Sequence, residues 1–164
     1  MGIGTLALLV MAVLAGDPEP AARDTTTSTT PTVTTAPLPI ANDLAAFGRL
    51  DIGLGDETWT VAVADTAVLR AQGLMGVTDL TVDGMLFVFE AERQVAFHMK
   101  DTLIPLDIAF FYSGGTLVDQ FTMTPCEADP CPTYPAAGPV RYAIETTVDG
   151  FGGIDPLVLE VASQ

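Results

Sequence analysis

The sequence predicts a mainly β domain: a compact β-sandwich or partly open barrel with one short helix near residues 66–73. Two observations carry this. Short apolar runs, alternating or continuous, recur along the chain with turn residues such as Asp-Gly and Ser-Gly-Gly between them. Only one stretch combines a helix start signal with a helix stop.

In chain order, Trp59 to Ala64 alternates at period two, the mark of a half-buried strand. Asp65 and Thr66 then offer an N-cap to Ala67–Gln72, a short helix stopped by Gly73. Met85 to Phe89, after Asp83-Gly84, is a continuous apolar run fitting a strand buried on both faces. Gln94 to Met99 is a further strand. Leu106 to Tyr112, Ser113-Gly114-Gly115 and Thr116 to Met123 read as a hairpin. Beyond a long Pro-rich loop, Val140 to Thr146 and Leu157 to Val161 supply two more strands. No internal repeat is visible.

Three regions follow from composition. Residues 1–16 hold the uncharged apolar run Ile3 to Ala15, shorter than the roughly 20 residues of a membrane span. Val13-Leu14-Ala15 before Gly16 has the small-residue character of a cleavage site, although the first base is Arg23. The segment is expected to be a signal peptide or an N-terminal anchor, and an uncleaved anchor is the chain's one expected contact with a membrane. Residues 17–40 are a Thr/Pro-rich linker without the bulky apolar residues needed to offset the entropy of ordering. Residues 41–164 form the single globular domain. These features predict an exported protein: secreted, periplasmic or on the cell surface.

The chain carries 21 acidic and 6 basic residues, a formal charge of −15. Only Asp17, Glu19, Asp24 and Arg23 precede residue 41, so the domain itself keeps a charge near −13. Such a field repels phosphate backbones and anionic lipid, which argues against nucleic acid as a partner. Phosphate loops, dinucleotide fingerprints and nucleophile elbows are absent from the sequence, and no cofactor is expected. With one histidine in the chain, no metal site is expected either. Cys126 and Cys131 are expected to form a disulfide that stiffens the Pro-rich loop, in keeping with an exported chain. A redox pair or half of a metal site are the other readings. The first lacks the two-residue spacing of redox motifs, and the second lacks another Cys/His pair.

Lys100 is the only lysine and His98 the only histidine, two positions apart in a chain poor in bases. At strand periodicity Ala96, His98 and Lys100 share one face of their strand, and Arg141, Ala143 and Glu145 share one face of theirs. Asp107 faces away from Leu106 and Ile108. If these strands neighbour one another, His98, Lys100, Asp107, Arg141 and Glu145 converge. With Arg70 and Tyr134 they would line a cleft suited to an anionic or sugar-like ligand, rimmed by the loop from Cys126 to Gly138.

Arg70-Ala71-Gln72-Gly73-Leu74-Met75 and Gly84-Met85-Leu86-Phe87-Val88-Phe89 are followed by the block Phe97 to Ile108. Cys131-Pro132-Thr133-Tyr134-Pro135 and Arg141-Tyr142-Ala143-Ile144-Glu145 complete the order. Together they resemble the bacterial and archaeal domain of unknown function family 192, from about Thr60 to Val161. The resemblance implies a compact β-sandwich, often behind a signal peptide, with no established activity. The chain departs from the family pattern at His98, commonly an aromatic, and at Asp101, commonly asparagine. Val148 to Ile154 is also shorter than the family's helix-bearing connection.

Three function classes remain. The first is a non-catalytic exported domain with a structural or interaction role in the cell envelope, in which Lys100, Arg70 and Arg141 form buried ion pairs with Asp107, Glu145 or other carboxylates. The second is a small-ligand or glycan binding module around Lys100 and Arg141. The third is a hydrolase-type enzyme, for which no catalytic residue is assigned. The expected partner is accordingly an envelope component or a small ligand, with the oligomeric state open.

Overall fold

The computed structural model describes residues 44–162. The expected signal or anchor at 1–16 and the linker at 17–40 lie outside the described residues.

The one α-helix, α1 (Ala67–Gln72), forms where its caps require it. Thr66 is extended, and its hydroxyl accepts the Leu69 amide at 3.2 Å. Gly73 closes the helix at φ 48°, its N–H donating to the Leu69 carbonyl at 2.9 Å. Both boundaries fall where the sequence places them.

The strands are β1 (Gly48–Leu54), β2 (Glu57–Ala64), β3 (Gly84–Arg93), β4 (Ala96–His98) and β5 (Leu106–Phe111). β6 (Leu117–Met123), β7 (Thr133–Pro135), β8 (Val140–Thr147) and β9 (Leu159–Glu160) complete them. Seven form one curled sheet in the order β6-β5-β8-β3-β2-β1-β9, a half-barrel. Its pairs are antiparallel except β2 with β3, which run parallel and are connected through α1. This crossover lays the helix on one face of the sheet, where Leu69 packs into the core.

The expected mainly β fold is present, and four strands differ from expectation. β1 and β7 were not anticipated. The Gln94–Met99 strand shortens to Ala96–His98 and leaves the main sheet to pair with β7, so that Phe97 lies opposite Tyr134. Leu157–Val161 contracts to two paired residues and one bridge, Val158 to Thr116.

Two cores occupy the two faces of the sheet. On one, Ala62, Met85, Phe87, Leu106, Ile108, Phe110 and Ala143 pack with Leu74, Met99 and the partly buried Phe97 and Tyr134. On the other, Ile52, Val61, Leu86, Ala109, Phe111 and Ile144 pack under Phe151 and Leu159. The segment Val148 to Ile154 is a run of turns without helix. It delivers Phe151 onto the Trp59 ring at 5.6 Å between centroids, 3° from parallel. Cys126 and Cys131 are disulfide-bonded with 5.6 Å between Cα atoms.

Candidate functional site

The first face of the sheet is incompletely filled. A cavity of about 420 Å³ lies between α1 with its following turn, β3, and the β3–β4 corner. Leu74, Phe87, Phe89, Val95 and Phe97 give it an apolar wall, and Arg70, Arg93, Gln94, His98, Thr102 and Glu145 bring polar groups to it. A second hollow of about 440 Å³ shares Arg70, Phe89, Arg93 and Gln94 with the first but not Glu145.

Glu145 marks the buried end. β8 carries it between Met85 of β3 and Ile108 of β5, its cross-strand partners. Its side chain is 4% exposed, lines the cavity, and has no hydrogen bond or ion pair among the described residues. Burial without a compensating charge pushes its carboxyl up to about 8, so at neutral pH it is mostly an uncharged acid. Thr102, 7% exposed, also lines the cavity, and its hydroxyl has no protein partner among the described residues.

Arg70 is fixed. One guanidinium nitrogen donates to the carbonyls of Asp65 at 2.6 Å and Val88 at 2.8 Å, tying α1 to β3. The guanidinium carbon sits 5.4 Å from the centroid of the Phe89 ring. Its other N–H groups have no partner among the described residues. Arg93 is exposed, and its side chain is likewise without a hydrogen bond or ion pair there. Gln94 donates to the Ala136 carbonyl at 2.6 Å, holding the corner against β7. Phe97 meets Phe87 edge-on at 5.0 Å and Phe110 at 5.6 Å, which fixes one side of the wall. His98 accepts the Lys100 amide at Nδ1 at 3.4 Å.

The expected site residues therefore divide. Arg70, His98 and Glu145 come together at the cavity. Lys100 is exposed in the turn after β4. Asp107 lies one register position from Glu145 but on the opposite face, where its carboxylate accepts from the Thr122 hydroxyl at 2.6 Å and the Asp149 amide at 2.9 Å. Tyr134 stacks on Phe121 at 6.1 Å, and its hydroxyl lies 3.3 Å from the Thr124 amide. Arg141 rests on the Tyr142 ring at 5.4 Å with one buried guanidinium nitrogen unpartnered. The expected buried ion pairs are not formed among the described residues. β4, in its own ribbon, does not neighbour β8, so His98 and Glu145 share the cavity without Lys100, Asp107 or Arg141.

A model of the uncharacterized ACR family, domain of unknown function 192, matches residues 50–154. The chain belongs to that family. Every residue lining the cavity lies inside the family segment, whereas the terminal regions lie outside it. Two solved structures are similar. One is a Sinorhizobium meliloti protein described as a candidate transcription regulator, 29% identical over 70% of this chain and 94% of that one, with a TM-score of 0.63. The other is a protein of unknown function from Novosphingobium aromaticivorans, 24% identical over 70% of this chain and 85% of its own, with a TM-score of 0.57. No curated protein matches the chain.

Sequence reasoning missed Arg93, Gln94 and Thr102. Arg93 had a signal: it is one of only six bases and follows closely on the apolar run Met85 to Phe89. Thr102 had none, because its burial follows from the turn that returns the chain from β4 toward β5.

Proposed function

We propose that this family-192 domain is exported and binds a small organic ligand in the cavity beneath α1. The observation that carries the reading is Glu145, a carboxyl almost wholly withdrawn from bulk water that meets no protein partner and lines an apolar-walled cavity. A buried polar group without a partner costs free energy, and a ligand that bonds it recovers that cost. A concave site that sets polar groups against an apolar wall can fix a small molecule's orientation as well as bury it. The uncharged run at Ile3 to Ala15, the Thr/Pro linker and the disulfide support export. The charge of −15 argues against carrying the Sinorhizobium protein's description over as DNA binding.

The test is a ligand screen by amide and side-chain NMR on the full chain, comparing wild type with Ala71→Trp. Ala71 is an exposed lining residue, so an indole there fills the mouth without touching the core. The expected result is a ligand that shifts signals of Arg70, Phe97 and Glu145 in wild type and loses binding in the variant. A panel of acids, sugars and amines that leaves these signals unmoved overturns the reading.

A further inference from the structure

The cavity's charge distribution narrows its ligand. Resting on the binding reading above, we propose that the site takes a small aromatic hydroxycarboxylate, its acid on Arg70 and Arg93, its ring against Phe87, Phe89 and Phe97, and its hydroxyl on Glu145.

The anionic head follows from the arginines. In a chain with 21 acids and 6 bases, Arg70 and Arg93 line both hollows, and neither forms an ion pair among the described residues, although Glu90 lines the second hollow beside them. Arg70 is held in place by the Asp65 and Val88 carbonyls while its remaining donors stay unused. A fixed guanidinium with free donors suits a planar carboxylate. The surrounding field of charge −15 disfavours a second negative charge, which selects a monoanion over a phosphate ester.

The ring follows from the wall. A lone inorganic anion would leave most of the 420 Å³ and the three phenylalanine rings without contact. The distal hydroxyl follows from Glu145 and Thr102, at the buried end. The ligand's acid is better matched at the arginines, where it meets a cation with unused donors rather than a second acid. A hydroxyl at Glu145 both donates to and accepts from an uncharged carboxyl and meets the free Thr102 hydroxyl.

The experiment titrates the full chain by calorimetry and NMR with 4-hydroxybenzoate, benzoate and 4-hydroxybenzyl alcohol, in wild type and Arg93→Gln. Arg93 is exposed and bonds nothing through its side chain, so the variant keeps the fold, which circular dichroism verifies. 4-Hydroxybenzoate is expected to bind tightest, with loss of either its acid or its hydroxyl weakening binding about tenfold or more. Arg93→Gln weakens both acids and leaves the alcohol unchanged. Equal binding of the alcohol and the acid, or undiminished acid binding by Arg93→Gln, overturns the carboxylate assignment. Failure of all three probes overturns it too: neutral sugars or amines that then shift the cavity signals keep the binding reading alive, and their silence removes both.

Discussion

Replacing Glu145 by glutamine should stabilise the protein at neutral pH, and the gain should vanish in acid. In the folded chain burial holds the carboxyl protonated to about pH 8, against 4.5 as its ordinary value. Between those values the folded protein keeps a proton that the unfolded chain releases, so raising the pH favours unfolding. The stability linked to this group is therefore present in full below about pH 4.5, declines through the window, and levels off above pH 8. One pKa unit corresponds to about 1.4 kcal/mol, which puts the decline from pH 5 to pH 7 at about 2–3 kcal/mol. Glutamine fills nearly the same volume and does not titrate. The assay is urea unfolding of wild type and Glu145→Gln at pH 5, 6, 7 and 8, read as the difference between the two curves. The other carboxylates cancel in that difference. Parallel stability–pH curves would mean that Glu145 is ionised in the folded state, and would refute both the burial argument and the uncharged acid at the end of the cavity.

Two further outcomes follow from contacts remote from the cavity. Gly115 adopts φ +80°, and a side chain there would overlap the Leu159 carbonyl oxygen. Gly115→Ala should cost about 2 kcal/mol or more and abolish hydrogen-exchange protection at Leu159, whose amide donates to the Gly115 carbonyl at 2.9 Å; retained protection would show that β9 does not depend on this contact. Cys126→Ser with Cys131→Ser should cost about 2 kcal/mol by loop entropy, measured as the urea midpoint. Ligand binding should be unchanged in that variant, since the cavity takes no residue from the 126–131 loop.

Local chemistry was legible in the sequence because local contacts decide it. The helix boundaries depend on Thr66 and Gly73 alone, and the β5–β6 hairpin on Ser113-Gly114-Gly115 between two apolar runs. β1 escaped because Gly48, Asp51 and Gly53 are weak strand formers, and what fixes the segment is its ladder with β2. β7 escaped because Pro135 donates nothing to a ladder, a loss tolerated in a two-stranded ribbon. The alternation that put His98 opposite Phe97 and Met99 holds: Phe97 and Met99 turn to the core and His98 outward. What periodicity could not supply was adjacency. Asp107 and Glu145 sit on neighbouring strands yet belong to different faces, and Lys100 lies in a turn beyond the ribbon. Arg70 and Glu145 meet at one cavity only because the β2–β3 crossover carries α1 over the face that β8 supplies.

The sheet order also sets a timetable. β8 lies between β3 and β5, so the middle of the sheet is filled by a strand that comes after both in the chain. Roughly 47 residues separate Arg93 from its partner Val140. At synthesis rates of about 5–20 residues per second, the β3 edge stands open for about 2–9 s before β8 begins to appear, and the later-made β5 edge for about 1.5–6 s. Until then Leu86, Ile108 and Phe110 lack their permanent neighbours, and the emerging chain exposes two aggregation-prone edges. Such a chain cannot close its sheet before β8 emerges, which makes holding by a chaperone valuable during that interval.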